Sequence, residues 1–96
     1  MSPKKHKELN RLRKQLDILD NSFIRLIKKR TGIVKNVLKL KKYKNEIVDK
    51  KRIKIILKNI AKKSKQKKID PKITNKIWNS MIKSFIDFEY RNFKKK

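Results

Sequence analysis

The sequence predicts an all-α domain of three helices per chain, the first of them very long. Leu9, Leu12, Leu16, Leu19, Phe23, Leu26, Arg30, Ile33, Val37 and Leu40 alternate steps of three and four without a break, the seam of a long helix that packs against other helices. Asp70-Pro71 offers an N-cap followed by proline at the first helical position. No stretch keeps a period-two alternation and no hairpin turn is present, so strands are not expected.

The first helix is expected from about Lys4 to Tyr43, with no proline inside and one glycine, Gly32, which costs about 1 kcal/mol relative to alanine. At 1.5 Å per residue it would be roughly 60 Å long, about twice the diameter of a compact domain of this size. Its own chain cannot bury it, which implies a partner copy. The polar stretch Lys44-Asn45-Glu46 ends it, and Asp49 is an N-cap for a second helix from about Lys50 to Lys65, with Ile53, Ile56, Leu57 and Ile60 on its apolar side. Lys62 to Lys68 reads as a frayed end and loop. The third helix starts at Pro71 and persists to about Phe93, its apolar face formed by Ile73, Ile77, Trp78, Met81, Ile82, Phe85 and Phe88.

Composition sets the bounds. With 96 residues and 36% hydrophobic content, residues 1–96 make one small domain, near the size at which self-association supplements the core. There are no cysteines, so disulfides and thiolate metal sites are excluded. The charged N-terminal segment leads into no apolar run of signal-peptide length, and nothing approaches the ~18 apolar residues of a membrane span, so a cytoplasmic location away from membranes is expected.

A net charge of +24 suggests nucleic acid, because a dense cationic surface displaces counterions from phosphate backbones. Only Arg11, Arg13, Arg25, Arg30, Arg52 and Arg91 are arginines, however, and arginine is the favoured residue for bidentate phosphate and base contacts. The joint abundance of Lys, Ile and Asn also fits a drift toward A/T-rich codons. The expectation is a solvated lysine surface with some non-specific polyanion binding at low salt and no specific nucleic-acid partner.

The polar residues that interrupt the apolar faces carry the functional information. A guanidinium at Arg30, inside the seam, costs several kcal/mol unless an anion meets it. Lys41 follows Arg30 by three helical turns, which places the two within about 20° of each other and roughly 16 Å apart, with Val34 and Val37 between them. Long cationic side chains so placed can bracket a small dianion. Alternatively, Lys41 snorkels at the helix end and Arg30 pairs with a carboxylate such as Asp49 or Glu89. Arg13 is rotated from Arg30 by about 100° and lies some 25 Å away along the axis, within reach of such a ligand only from an antiparallel copy.

Asp49 and Arg52, three residues apart, share the first turn of the second helix, where a surface pair worth tenths of a kcal/mol is the plain reading. Glu89 continues the row Trp78, Ile82, Phe85 and so puts a carboxylate on an apolar stripe. Burial there opposes its charge and neighbouring cations favour it, which leaves its protonation state open. His6 has no second ligand residue at metal spacing, and a solvent-exposed position is expected.

These residues carry a resemblance. The stretch Leu12-Arg13-Lys14-Gln15-Leu16-Asp17-Ile18-Leu19-Asp20, then Leu26-Ile27 leading to Arg30, Val37 leading to Lys41, Val48-Asp49 with Arg52, Ile69-Asp70-Pro71, and Ile77-Trp78 leading to Glu89, resembles the all-helical class of chorismate mutase over nearly the whole chain. The resemblance implies an intertwined homodimer with two active sites. Each would take Arg30, Lys41, Asp49, Arg52 and Glu89 from one chain and Arg13 from the other.

Carried over, Arg13, Arg30 and Arg52 would serve the two carboxylates of chorismate. Lys41 would serve a carboxylate and the ether oxygen, Asp49 the region of the ring hydroxyl, and Glu89 the ether oxygen. The implied reaction, chorismate to prephenate in aromatic amino acid biosynthesis, is a one-substrate pericyclic rearrangement that calls for no cofactor, metal or nucleophile. It calls for restraint of both carboxylates and for donors at the ether oxygen, here Lys41 and a protonated Glu89.

Three positions and the length of one segment depart from the pattern. Phe85 stands where a serine is common, with Ser84 one place earlier, which affects a contact to the ring carboxylate. Ile53 replaces a frequent glutamate, Leu38 a frequent glycine, and the segment from Lys41 to Asp49 is short. These departures admit reduced activity, a related substrate or compensation by backbone groups. The alternatives are an isochorismate-pyruvate lyase of the same fold, or a basic helical dimer that binds nucleic acid or an acidic protein with Arg30 in a structural ion pair.

Overall fold

A computed structural model describes residues 1–94 of the chain. Its elements in order are α1 (Pro3–Leu40), a 3-10 turn η1 (Lys44–Glu46), α2 (Lys50–Gln66) and α3 (Pro71–Asn92), with no strand among the described residues. The all-α class and the three helices agree with the sequence reading. The chain divides into two compact units, residues 1–33 and the residues from Val34 onward, and α1 contributes to both.

The first unit is helix throughout, and its start is capped. The Ser2 hydroxyl accepts from the Lys5 N–H at 3.2 Å, its carbonyl accepts from the His6 N–H at 2.9 Å, and Pro3 occupies the first helical position, where its missing N–H is no loss. On the solvated surface Arg11 pairs with Glu8, which lowers the Glu8 carboxyl and raises the Arg11 guanidinium from their usual ranges. Most seam positions of this unit stay in water, while Leu9 and Arg30 are half-buried. Phe23 is 59% exposed, Leu26 61% and Ile33 61%.

The second unit holds the core. Leu38 near the end of α1, Ile47 after η1 and Ile82 on α3 are buried, and α2 packs along α3 with Ile53, Ile56, Leu57 and Ile60 half-buried opposite Trp78, Phe85 and their neighbours. α1 stops at Leu40, three residues before the expected Tyr43. The Lys41 N–H makes a tightened bond to the Leu38 carbonyl at 3.1 Å, and the Glu46 carboxylate captures the Lys42 N–H at 3.0 Å. The chain then turns to bury Ile47, at 3% exposure the most enclosed apolar residue among the described residues. A single apolar residue flanked by charges gave no periodic signal.

α2 begins as expected. Asp49 Oδ1 accepts from the Arg52 N–H at 3.0 Å. It ends at Gln66, within one residue of the expected Lys65, and residues 62–66 are helical rather than frayed. Buried Ser64 fastens that last turn. Its hydroxyl bonds the Ile60 carbonyl at 2.7 Å and the Thr74 hydroxyl on α3 at 2.6 Å. Beyond it, the Ile69 N–H reaches the Ser64 carbonyl and the Lys68 N–H reaches the Lys65 carbonyl, the paired bonds of a Schellman termination.

Asp70 caps α3 through the Lys72 N–H at 2.9 Å, with Pro71 at the first position as expected, and the helix closes at Asn92 with Phe93 as its extended C-cap. Its apolar face is narrower than expected. Ile73 and Ile77, assigned to it from their spacing, are exposed, whereas Ile86 is half-buried.

The left-handed position of the Schellman turn is occupied by Lys68, at φ 57°. An L-residue there meets its own carbonyl through Cβ, a strain that glycine lacks. Lys68→Gly is therefore expected to raise stability by about 0.5–1 kcal/mol, read as a higher urea midpoint with an unchanged slope.

Candidate active site

Two ends of the second unit are brought together by one polar contact. Lys41, the first residue after α1, extends Nζ to Glu89 Oε1 on the last turns of α3 at 2.8 Å and to the Ile47 carbonyl at 3.4 Å. Both groups are largely withdrawn from water, with side-chain exposures of 18% for Lys41 and 8% for Glu89. Glu89 is on the apolar stripe of α3, where the row Trp78, Ile82, Phe85, Glu89 put it, and burial makes its carboxylate depend on Lys41. At close range such a pair interacts with about 4 kcal/mol at an effective dielectric of 20, against about 1 kcal/mol in water.

The reading in which Lys41 snorkels freely at the helix end is thereby replaced by a fixed, inward-directed ammonium. The Ile47 carbonyl is a partner that sequence reasoning missed. A backbone oxygen leaves no mark in a sequence, and the only available signal was the isolated apolar residue six positions after the lysine.

The remaining site residues fall in three places. Asp49 and Arg52 share the first turn of α2, but their recorded bond is the cap to the Arg52 backbone N–H rather than a side-chain pair. Phe85 is half-buried on α3, one turn before Glu89 and on the same face, so an apolar ring stands where serine would have offered a hydroxyl. Arg13 is exposed and Arg30 half-buried on the part of α1 that belongs to the first unit. Within the second unit, then, a cation and a buried acid are arranged in one place and Arg52 stands in the first turn of α2, whereas Arg13 and Arg30 lie in the first unit.

The described residues form a small all-α protein with one buried ammonium–carboxylate contact. Residues 12–90 match the model of the family described as chorismate mutase type II, a stretch that contains Arg13, Arg30, Lys41, Asp49, Arg52, Phe85 and Glu89. The chain belongs to that family, and it is an enzyme of the isomerase class. No curated protein and no solved structure matches it.

The Lys41–Glu89 pair makes a stability prediction independent of activity. Lys41→Met leaves a buried carboxylate without its cation and is expected to cost about 3 kcal/mol. Adding Glu89→Leu removes the stranded charge and should recover most of that loss. Urea unfolding of both single variants and the double variant at one protein concentration measures the coupling, which should exceed about 1.5 kcal/mol.

Proposed function

We propose that the protein rearranges chorismate to prephenate in a cationic pocket, as a homodimer whose two sites each draw on both chains. The observation that carries this reading is the Lys41–Glu89 pair, which holds an ammonium and a carboxyl group together away from water. The family match across residues 12–90 supports it, as do the exposed seam residues of α1, which ask for a partner helix.

The substrate is a dianion whose reactive conformer has its two arms drawn together. Arg30 and Arg52 of one chain and Arg13 of the other grip the two carboxylates, so that the orientational entropy of reaching that conformer is met on binding. Arginine suits this task because its planar fork matches a carboxylate with two parallel bonds. As the bond between the ether oxygen and the ring breaks, negative charge grows on that oxygen. Lys41 Nζ donates to it, and Glu89, which Lys41 holds at 2.8 Å, is the second group beside it.

The resting contact between these two groups holds them within bonding distance of each other before substrate arrives. Asp49 faces the ring hydroxyl, and Phe85 contributes an apolar wall in place of a hydroxyl contact. No electron pair passes to the protein at any step. The reaction needs no metal or cofactor, because bond making and bond breaking occur in one cyclic movement within the substrate.

Incubation with chorismate should give loss of its ultraviolet absorbance with formation of prephenate. Isochorismate should release no pyruvate, and release from isochorismate alone would assign the lyase reaction instead. Arg13→Ala and Arg30→Ala should each lower kcat/KM by at least about 100-fold, about 2.7 kcal/mol of transition-state stabilisation. When the two inactive variants are mixed and allowed to exchange, heterodimers contain one site with every native group, and recovery of about a quarter of the native activity is expected. Verified exchange without recovery would refute the shared site.

A further inference from the structure

The surface of α2 carries a feature that the rearrangement does not use. Lys51, Lys54, Lys58, Lys62 and Lys65 follow one another at steps of three, four, four and three, and all five are exposed. At 100° per residue they fall within an arc of about 80°, a straight lysine row roughly 21 Å long. The opposite side of the helix, Ile53, Ile56, Leu57, Ile60 and Ser64, is turned inward and packs toward α3. α2 has eight basic residues and not one acidic residue.

That arrangement works against the helix that bears it. Like charges at i and i+4 destabilise a helix by about 0.2–0.5 kcal/mol per pair, and Lys50–Lys54, Lys54–Lys58 and Lys58–Lys62 are three such pairs. Lys50, Lys51 and Arg52 also crowd the N-terminal end, where the helix dipole disfavours cations. Codon drift does not account for it. A shift toward A/T-rich codons enriches Lys, Ile and Asn, but it does not set the spacing that lines five lysines along one face of a helix. A row without a carboxylate is relieved when anions lie along it.

We propose that the lysine row of α2 is a binding surface for the phosphate backbone of double-stranded nucleic acid, used without regard to base sequence. A row of about 21 Å spans roughly six base steps at 3.4 Å each, with lysines placed every 4.5–6 Å along it. Lysine is well matched to this task, since a flexible point charge neutralises phosphate without reading bases. A membrane surface fits less well. An interfacial helix buries its apolar face in lipid, and the apolar face of α2 is occupied by α3.

Fluorescence anisotropy with labelled duplex DNA and duplex RNA of mixed sequence, over about 50–200 mM salt, tests the proposal. The native protein should bind at least one of them, with log K falling by about 4 or more per decade of salt. Lys54→Glu/Lys62→Glu gives the row alternating signs, which favours the helix, and should weaken binding at least 10-fold and reduce the salt slope by about 2. Lys54→Gln/Lys62→Gln should fall between, and Lys4→Glu/Lys7→Glu, the same charge change on α1, should weaken binding less than 3-fold. Chorismate turnover in the α2 variants should stay near native. Equal losses from the α1 and α2 variants would overturn the proposal in favour of net charge alone. Tighter, row-dependent binding to vesicles containing phosphatidylserine would overturn it in favour of a membrane.

Discussion

The buried contact between Lys41 and Glu89 is the constraint on which the second unit turns. It joins residues 48 positions apart in the sequence, and the turn of the chain after α1 serves to make it possible. α1 must stop at Leu40 so that Lys41 can leave the helical path, Glu46 must hold the Lys42 N–H so that the turn closes, and Ile47 must be buried so that its carbonyl lies beneath the ammonium. An apolar stripe that carries a carboxylate would ordinarily weaken α3. Here the same carboxylate anchors the stripe to the residue that follows α1.

The first unit poses the opposite problem. It has abundant apolar surface and no core of its own, with Leu12, Leu16, Leu19, Phe23, Leu26 and Ile33 all exposed. Single exposed leucines are ordinary, but a row at helical spacing forms a contiguous stripe of the kind that marks an interaction surface. Hydrophobic burial is worth roughly 25 cal/mol per Å², so covering such a stripe with a second copy would contribute many kcal/mol and offset the low apolar content of a chain with net charge +24. Self-association and catalysis would then rest on the same helix, since Arg13 and Arg30 stand along it.

What could be read from the sequence was what repeats or caps. The seam of α1, the cap at Asp49 and the Asp70-Pro71 start each rest on local rules that hold wherever the helix finally packs, and the structure agrees with them. The misses have a common cause in contacts made across the chain. Nothing near Ser64 announces that Thr74 will hold it, so the lysine-rich turn around it looked frayed. Ile73 and Ile77 satisfy the helical period yet are exposed, because a period fixes a face and not what covers it. α1 starts at Pro3, one residue before the expected Lys4, because Ser2-Pro3 is a complete cap signal. Of the site, Glu89 was legible because a carboxylate on an apolar stripe is anomalous, whereas the Ile47 carbonyl has no sequence signature.

Charge does two different kinds of work in this chain, and burial separates them. A lysine on the α2 row interacts through water, where one contact is worth about 1 kcal/mol and falls away within a Debye length of about 8–10 Å. Only repetition makes such a surface effective, and what it gains is affinity without discrimination. Lys41 works alone. Withdrawn from water and held by a carboxylate and a carbonyl, it is a fixed donor where the dielectric is low. A general excess of positive charge could therefore accumulate on the surface without altering the Lys41–Glu89 contact, because that contact depends on the position of one ammonium and not on how many surround it.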